Sequence, residues 1–248
     1  MCRHHEPLPK ADLPTRRRFL QLAGASAGAL LLSAVTPEQM AYAAEPMTPK
    51  PQNALDPEQA LERLMAGNRR YMEGVTKRHD FQAEREALAE GQNPFAAVLG
   101  CADSRIAPEY AFDTGRGDLF AVRVAGNFVT DGGLASLEYA VAVLGTPLLM
   151  VLGHGSCGAV SAGVKALKDD AEFPGKIQGL ADAIKPSVEK VLEAPGDLLD
   201  NAIVQNVKDA VSNLTAESPL LANAVAEGKL RIVGGVYKLR SGEVELVA

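Results

Sequence analysis

The chain of 248 residues has no tryptophan, three cysteines and four histidines, and aromatic residues make up 5% of it. Three thiols are too few for an iron–sulfur cluster, and no two stand in a C-x-x-C spacing. The shortage of rings does not exclude a core, because alanine, valine and leucine are abundant. An excess of positive charge is also missing: the formal net charge is −6. Nucleic acid and anionic lipid both need basic patches, so neither is an expected partner. No internal repeat and no second domain is visible, and the length suits one α/β domain with a leader.

The leader is expected over residues 1–43. Thr15-Arg16-Arg17-Arg18-Phe19-Leu20 is similar to a twin-arginine export signal, with Arg16 and Arg17 as the pair. A dilute apolar stretch from Phe19 to Val35 follows, then the small-x-small cleavage signal Ala41-Tyr42-Ala43. The stretch is short for a bilayer and carries Gly and Ser, which disfavours a membrane anchor. No cysteine lies beside the cleavage signal, which disfavours a lipoprotein. Cleavage there leaves 20 basic against 28 acidic residues, a formal charge of −8, and places the protein in the periplasm or otherwise outside the cytoplasm. Residues 44–53, rich in Pro, Thr and Asn, read as a linker, and residues 54–248 as the folded domain.

Only two cysteines and two histidines then remain, Cys101, Cys157, His79 and His154. Three of the four stand in two short blocks, Cys101-Ala102-Asp103-Ser104-Arg105 and His154-Gly155-Ser156-Cys157. Two thiols and an imidazole are zinc ligands, and a catalytic zinc keeps a fourth position for water where a structural one is closed by protein. A disulfide between the cysteines is the plainer explanation in an exported protein. It leaves Asp103, Arg105 and His154 without a purpose. Export in the folded state would let metal load before the thiols meet an oxidising compartment. His79, alone in a polar segment, reads as a surface residue.

Both blocks follow short apolar runs, Phe95–Gly100 and Leu148–Gly153, which read as buried parallel strands. A third run, Asp118–Arg123, lies between them in sequence. A metal joining the first and third strands makes them neighbours and puts the second outside the first. That arrangement is a topological switch point, where open α/β sheets bind ligands. Asp56-Pro57 starts a helix that ends near Gly74, and a second short helix ends before Gly91. Asp131–Gly145 and Cys157–Leu167 read as helices. Three more are expected between Ile177 and Gly228, with Pro186 and Pro219 at starts or connections. Lys229–Tyr237 and Glu243–Val247 close the chain as strands around a turn at Ser241-Gly242. The fold class is therefore α/β, a mostly parallel central sheet flanked by helices, with C-terminal strands extending it.

Residues 153–158 also fit G-x-G-x-x-G after a strand and before a helix. No second strand ending in an acid follows at the required distance, and His154 and Cys157 would crowd a pyrophosphate. A dinucleotide site is not expected.

The chain resembles the β-class carbonic anhydrases. The resemblance rests on residues 101–105, on Phe-Ala-Val-Arg-Val-Ala-Gly-Asn at 120–127, on Ser-Leu-Glu-Tyr-Ala-Val at 136–141 and on Gly-His-Gly-Ser-Cys-Gly at 153–158. Gly-Gln-Asn-Pro at 91–94 and the segment 201–247 extend it. Val124 and Gly155 depart from it, at places where polar residues are usual. The resemblance implies a zinc lyase that hydrates carbon dioxide, with no organic cofactor. Cys101, His154 and Cys157 would hold zinc. Asp103 would accept a hydrogen bond from the attacking hydroxide, with Arg105 keeping it ionised and in place. In part of the family the matching aspartate swings onto the metal as a fourth ligand. Gln92 would hydrogen-bond substrate. Phe120 and Tyr139, core aromatics by pattern, would line the substrate pocket near a dimer interface in a homodimer or dimer of dimers. The same ligands also suit a hydrolase of carbonyl sulfide or carbon disulfide, and a zinc protein without turnover stays open. So does a metal-free cysteine hydrolase built on Cys157 and His154. From residue types alone, Asp103 could be a turn cap and Arg105 its salt-bridge partner.

Overall fold

The computed structural model describes residues 54–248. The expected leader and linker, residues 1–53, lie outside the described residues.

Helix α1 (Pro57–Met72) starts where the sequence places it. Asp56 accepts from the Gln59 amide and the Gln59 side chain accepts from the Asp56 N–H, a reciprocal cap, with Pro57 in the first turn. A short helix α2 (Phe81–Ala87) follows, then strand β1 (Ala96–Gly100), a single turn α3 (Pro108–Ala111) and strand β2 (Leu119–Arg123). Helix α4 (Asp131–Ala142) leads to strand β3 (Leu148–His154) and helix α5 (Gly158–Lys168). Helices α6 (Ile177–Glu189), α7 (Leu198–Glu217) and α8 (Pro219–Ala226) precede strands β4 (Arg231–Tyr237) and β5 (Val244–Leu246).

The sheet order is β2-β1-β3-β4-β5, parallel except for the β4–β5 hairpin. The first and third strands are neighbours and the second lies outside the first, as the ligand spacing required. Every residue of β1 and β3 is buried, the mark of parallel strands covered on both faces. Their side chains alternate between the two faces. Ala96, Val98, Leu148 and Met150 meet α1 through Leu61 and Leu64. Ala97, Leu99, Leu149 and Val151 meet α4 and α7 through Leu137, Val207 and Leu214. A third apolar cluster sits at the carboxyl end of the sheet, where Val160, Ile184, Val188 and Ile203 surround Cys101 and Cys157.

Pro186 departs from expectation. It stands inside α6 and not at a start or connection. A proline in a helix interior costs about 3 kcal/mol, because it cannot donate to the carbonyl four residues back. Here Pro186 and Asp182 are both exposed, so water can take that carbonyl. The buried Ile184 and Val188 hold the helix through the proline.

One glycine shows how closely α1 docks. A Cβ on Gly67 would lie 1.8 Å from the Phe112 carbonyl oxygen. Next to it, Asn68 Nδ2 donates to the Ala111 and Gly242 carbonyls and Asn68 Oδ1 accepts from the Val244 N–H. Gly67→Ala gains about 1 kcal/mol of helix propensity. Overpacking against a backbone atom costs about 1–3 kcal/mol. A lower thermal midpoint is expected; an unchanged or higher one would show that α1 and Phe112 part freely.

Candidate metal centre

Cys101 follows β1 directly, His154 ends β3, and Cys157 is the N-cap residue of α5. The crevice between the carboxyl ends of β1 and β3 is the switch point of the sheet, since the chain leaves β1 toward β2 on one side and finds β3 on the other. The turn that carries His154 and Cys157 is built from close approaches. A Cβ on Gly153 would lie 2.6 Å from Val207 Cγ2, so glycine lets α7 reach the end of β3. The Gly155 N–H donates to the Tyr237 carbonyl at 3.0 Å, which prolongs the β3–β4 ladder. Ser156, at φ +53°, turns the chain back so that Cys157 faces Cys101.

One ligand atom from each of Cys101, His154 and Cys157 lies within 4.8 Å of the others, and all three residues are buried. The sulfurs are 4.0 Å apart. Two bonds of about 2.3 Å at a tetrahedral angle would set them about 3.8 Å apart. A disulfide bond is about 2.05 Å, and both cysteines are free. His154 Nδ1 lies 2.9 Å from the Gly155 carbonyl oxygen. A carbonyl only accepts, so Nδ1 carries the proton and Nε2 presents a lone pair. That Nε2 is buried and has no hydrogen-bond partner. An orphaned imidazole nitrogen between two thiols fits a borderline-soft divalent cation, and zinc fits this donor set best.

The two sulfurs share one proton between them. Cys101 is pulled down to about 4, chiefly by the hydrogen bond from the Cys157 thiol and against the cost of burial, with help from His154 and the Gly126 N–H. Cys157 is pushed up, because it keeps its own proton beside the Cys101 sulfur and is itself buried. Burial works against a charged His154, but the neighbouring Cys101 outweighs it and raises His154. In the geometry, no hydrogen bond joins Cys157 to His154 Nε2. A nucleophile activated by imidazole needs that bond, so a metal-free cysteine hydrolase is disfavoured.

Asp103 stands in the fork of Arg105, apart from the group of three. Arg105 Nε donates to Oδ1 at 2.9 Å, its NH2 donates to Oδ2 at 2.6 Å, and the Arg105 backbone N–H adds a bond to Oδ1. The Arg105 guanidinium holds the Asp103 carboxyl well below the usual carboxylate range, against a smaller opposing effect of burial. Oδ2 lies 3.7 Å from His154 Nε2, so the carboxylate overlooks the place a metal would take. Arg105 also donates to the Ser156 carbonyl at 3.3 Å, tying the two ligand loops together. A plain turn cap would make only the backbone bond.

Two residues of this region were not singled out from sequence. Arg123, at the end of β2, donates from Nε to the Cys101 carbonyl and from NH2 to the Asp103 and Ile106 carbonyls. Asn206, on α7, donates to the Gly126 carbonyl. Arg123 lies within a quoted block, yet its partners are backbone atoms, which leave no trace in sequence.

The other expected site residues are not brought to this cluster within one chain. Gln92 is exposed in the loop entering β1. The whole of β1, about 17 Å of extended chain, separates that loop from Cys101. Phe120 and Tyr139 do meet each other, with ring centroids 6.4 Å apart. Phe120 sits in register with Ala97, the second residue of β1 and four before Cys101, and Tyr139 is 47% exposed on α4.

A family model described as "Carbonic anhydrase" matches residues 96–244. The chain is 41% identical over 193 residues to a carbonic anhydrase of Mycolicibacterium smegmatis, covering 77% of this chain and 93% of the relative. Among solved structures, the β-carbonic anhydrase CcaA is similar with a TM-score of 0.61 at 27% identity, over 77% of this chain and 92% of that one. A structure from a study of two tetrameric β-carbonic anhydrases of the ascomycete Sordaria macrospora has a TM-score of 0.62 at 22% identity, over 77% and 95% of the two chains, and bears on the fold alone.

Proposed function

We propose, for a chain that belongs to the β-class carbonic anhydrase family, that zinc held by Cys101, His154 and Cys157 serves the reversible hydration of carbon dioxide to bicarbonate and a proton. The protein is an enzyme, a carbonic anhydrase. The observation that carries the zinc assignment is the orphaned, buried His154 Nε2 set between two thiols at the switch point of the sheet. Zinc, when bound, lowers the pKa of a water to about 7 and so supplies a nucleophile near neutral pH. The remaining work falls to the chain. Asp103, kept ionised by Arg105, offers a carboxylate oxygen to orient that nucleophile. Arg105 fixes the carboxylate and bridges to the second ligand loop. Arg123 holds the carbonyls of the first loop. The decisive experiment is stopped-flow carbon dioxide hydration on zinc-quantified protein, with carbonyl sulfide and carbon disulfide run alongside. Turnover of a sulfur analogue without hydration of carbon dioxide would reject the reading.

The unit in solution is a homodimer or dimer of dimers. Gln92, Phe120 and Tyr139 stand away from the cluster of their own chain, so a part at a site requires a second copy. The exposed Tyr139 on α4 and Val143 at its C-cap, beside edge strand β2, offer an apolar surface for one. The substrate is a small molecule.

The mature protein begins near Ala44 and works outside the cytoplasm, a reading supported by Arg16, Arg17 and Ala41-Tyr42-Ala43. Changing Arg16 and Arg17 together to lysine is expected to trap the precursor in the cytoplasm. Fractionation with an antibody to the mature chain checks it, and normal export of the double variant would reject the twin-arginine assignment.

A further inference from the structure

The geometry points to Asn206 as a positioning residue for the Cys101 thiolate, acting through Gly126 from a helix 80 residues away in sequence. The inference rests on the zinc reading above.

The Gly126 N–H donates to Cys101 Sγ at 3.3 Å. Its carbonyl accepts from Asn206 Nδ2 at 2.8 Å. Gly126 is the third residue of a turn closed by the Asn127 N–H on the Val124 carbonyl at 2.8 Å, and its φ is +85°. Such a turn calls for glycine at that place. A side chain is also barred by space, since a Cβ would lie 2.7 Å from Ile184 Cδ1 and 3.1 Å from Ala159 Cβ. The residue that donates to the thiolate is therefore the one with the greatest torsional freedom. Ile184 and Ala159 limit where Gly126 sits. They do not limit how its two peptide planes turn. Holding the carbonyl fixes one plane and, through the closed turn, the other. Asn206 supplies that hold and is itself buried, at 3% exposure.

A hydrogen bond to a ligating sulfur withdraws charge from it and orients its lone pairs, so the bond tunes what the metal experiences. Loss of Asn206 Nδ2 should free the Gly126 peptide and weaken the bond to Cys101. The effect would appear at the metal, with every ligand still present.

The test uses full-length mature protein reconstituted with zinc or with cobalt(II). Asn206→Asp keeps the shape and replaces the donor with an acceptor facing the Gly126 carbonyl. Asn206→Ser removes the reach without adding charge and stands in should the aspartate variant fail to fold. Asn68→Asp is the control. Asn68 is equally buried and also donates to backbone carbonyls, of Ala111 and Gly242, but it lies on the opposite face of the sheet. The Asn206 variants are expected to shift the thiolate-to-cobalt charge-transfer band and to weaken zinc binding by about 10- to 100-fold. The control is expected to lower thermal stability and leave band and affinity at wild-type values. A folded Asn206 variant with the wild-type band and affinity would overturn the inference alone. An equal band shift in the control would overturn it too, by reducing the effect to general loosening. A wild-type protein that takes up neither metal would overturn the zinc reading, and the inference with it.

Discussion

Cys157→Ser is expected to leave the purified protein with almost no zinc and a much lower thermal midpoint. Cys157 is the N-cap residue of α5, and its sulfur lies 4.0 Å from that of Cys101 and within 4.8 Å of a His154 ring nitrogen. A serine hydroxyl is a far poorer zinc ligand than a thiolate, and two remaining donors do not hold zinc at micromolar protein. The binding energy of a structural zinc site, on the order of 10 kcal/mol, is also folding energy. The position is buried beside Val160, Ile184 and Ile203, so the new hydroxyl adds a penalty of about 1–3 kcal/mol if it finds no partner. Elemental analysis beside a melting curve checks both parts. A folded variant with full zinc occupancy would show that the ligand set is wrong.

Asp103→Ala is expected to do the reverse, keeping its zinc and losing turnover by about a hundredfold or more, the range for groups that orient ligands and move protons. Asp103 lies in the Arg105 fork and outside the group of three, which is why zinc should stay. Arg105→Ala should also lose turnover, because the freed carboxylate can reach the metal or take up a proton. The pH profile separates these possibilities. Arg105 holds Asp103 below the usual carboxylate range, so wild-type Asp103 stays ionised throughout the neutral region. A fall of wild-type activity on mild acidification steeper than the titration of one zinc-bound water near about 7 would then report movement of Asp103 onto the metal, not its protonation. Asp103→Ala should keep the single water titration and lack the added steepness, having no carboxylate to move. Hydration rates against pH for the three proteins, with zinc content measured beside them, decide the matter. Near wild-type rates in zinc-loaded Asp103→Ala would leave Asp103 as a turn cap.

Much of this protein is determined locally. The buried runs at 95–100 and 148–153 are apolar throughout, and so short a run is long enough for a strand covered on both faces and too short for an ordinary helix. Asp56-Pro57 starts a helix because a carboxylate cap and a fixed φ act within one turn. The ligands are legible because thiol and imidazole declare their chemistry by identity, and placing them after two strands implies that those strands are neighbours. What the tertiary structure alone decided depends on partners remote in sequence or on backbone atoms with no identity to read. Pro186 stays helical because exposed Asp182 leaves its unpaired carbonyl to water and Ile184 and Val188 are packed. His154 has one tautomer because the Gly155 carbonyl happens to face Nδ1. Arg123 and Asn206 hold the ligand loops through backbone carbonyls, the second across 80 residues. Gln92, Phe120 and Tyr139 share a motif pattern with the site, yet the length of β1 keeps Gln92 from Cys101 and register sets Phe120 beside Ala97, near the start of β1. Residue identity specifies the chemistry a side chain can perform; only the packed sheet and helices specify what it can reach.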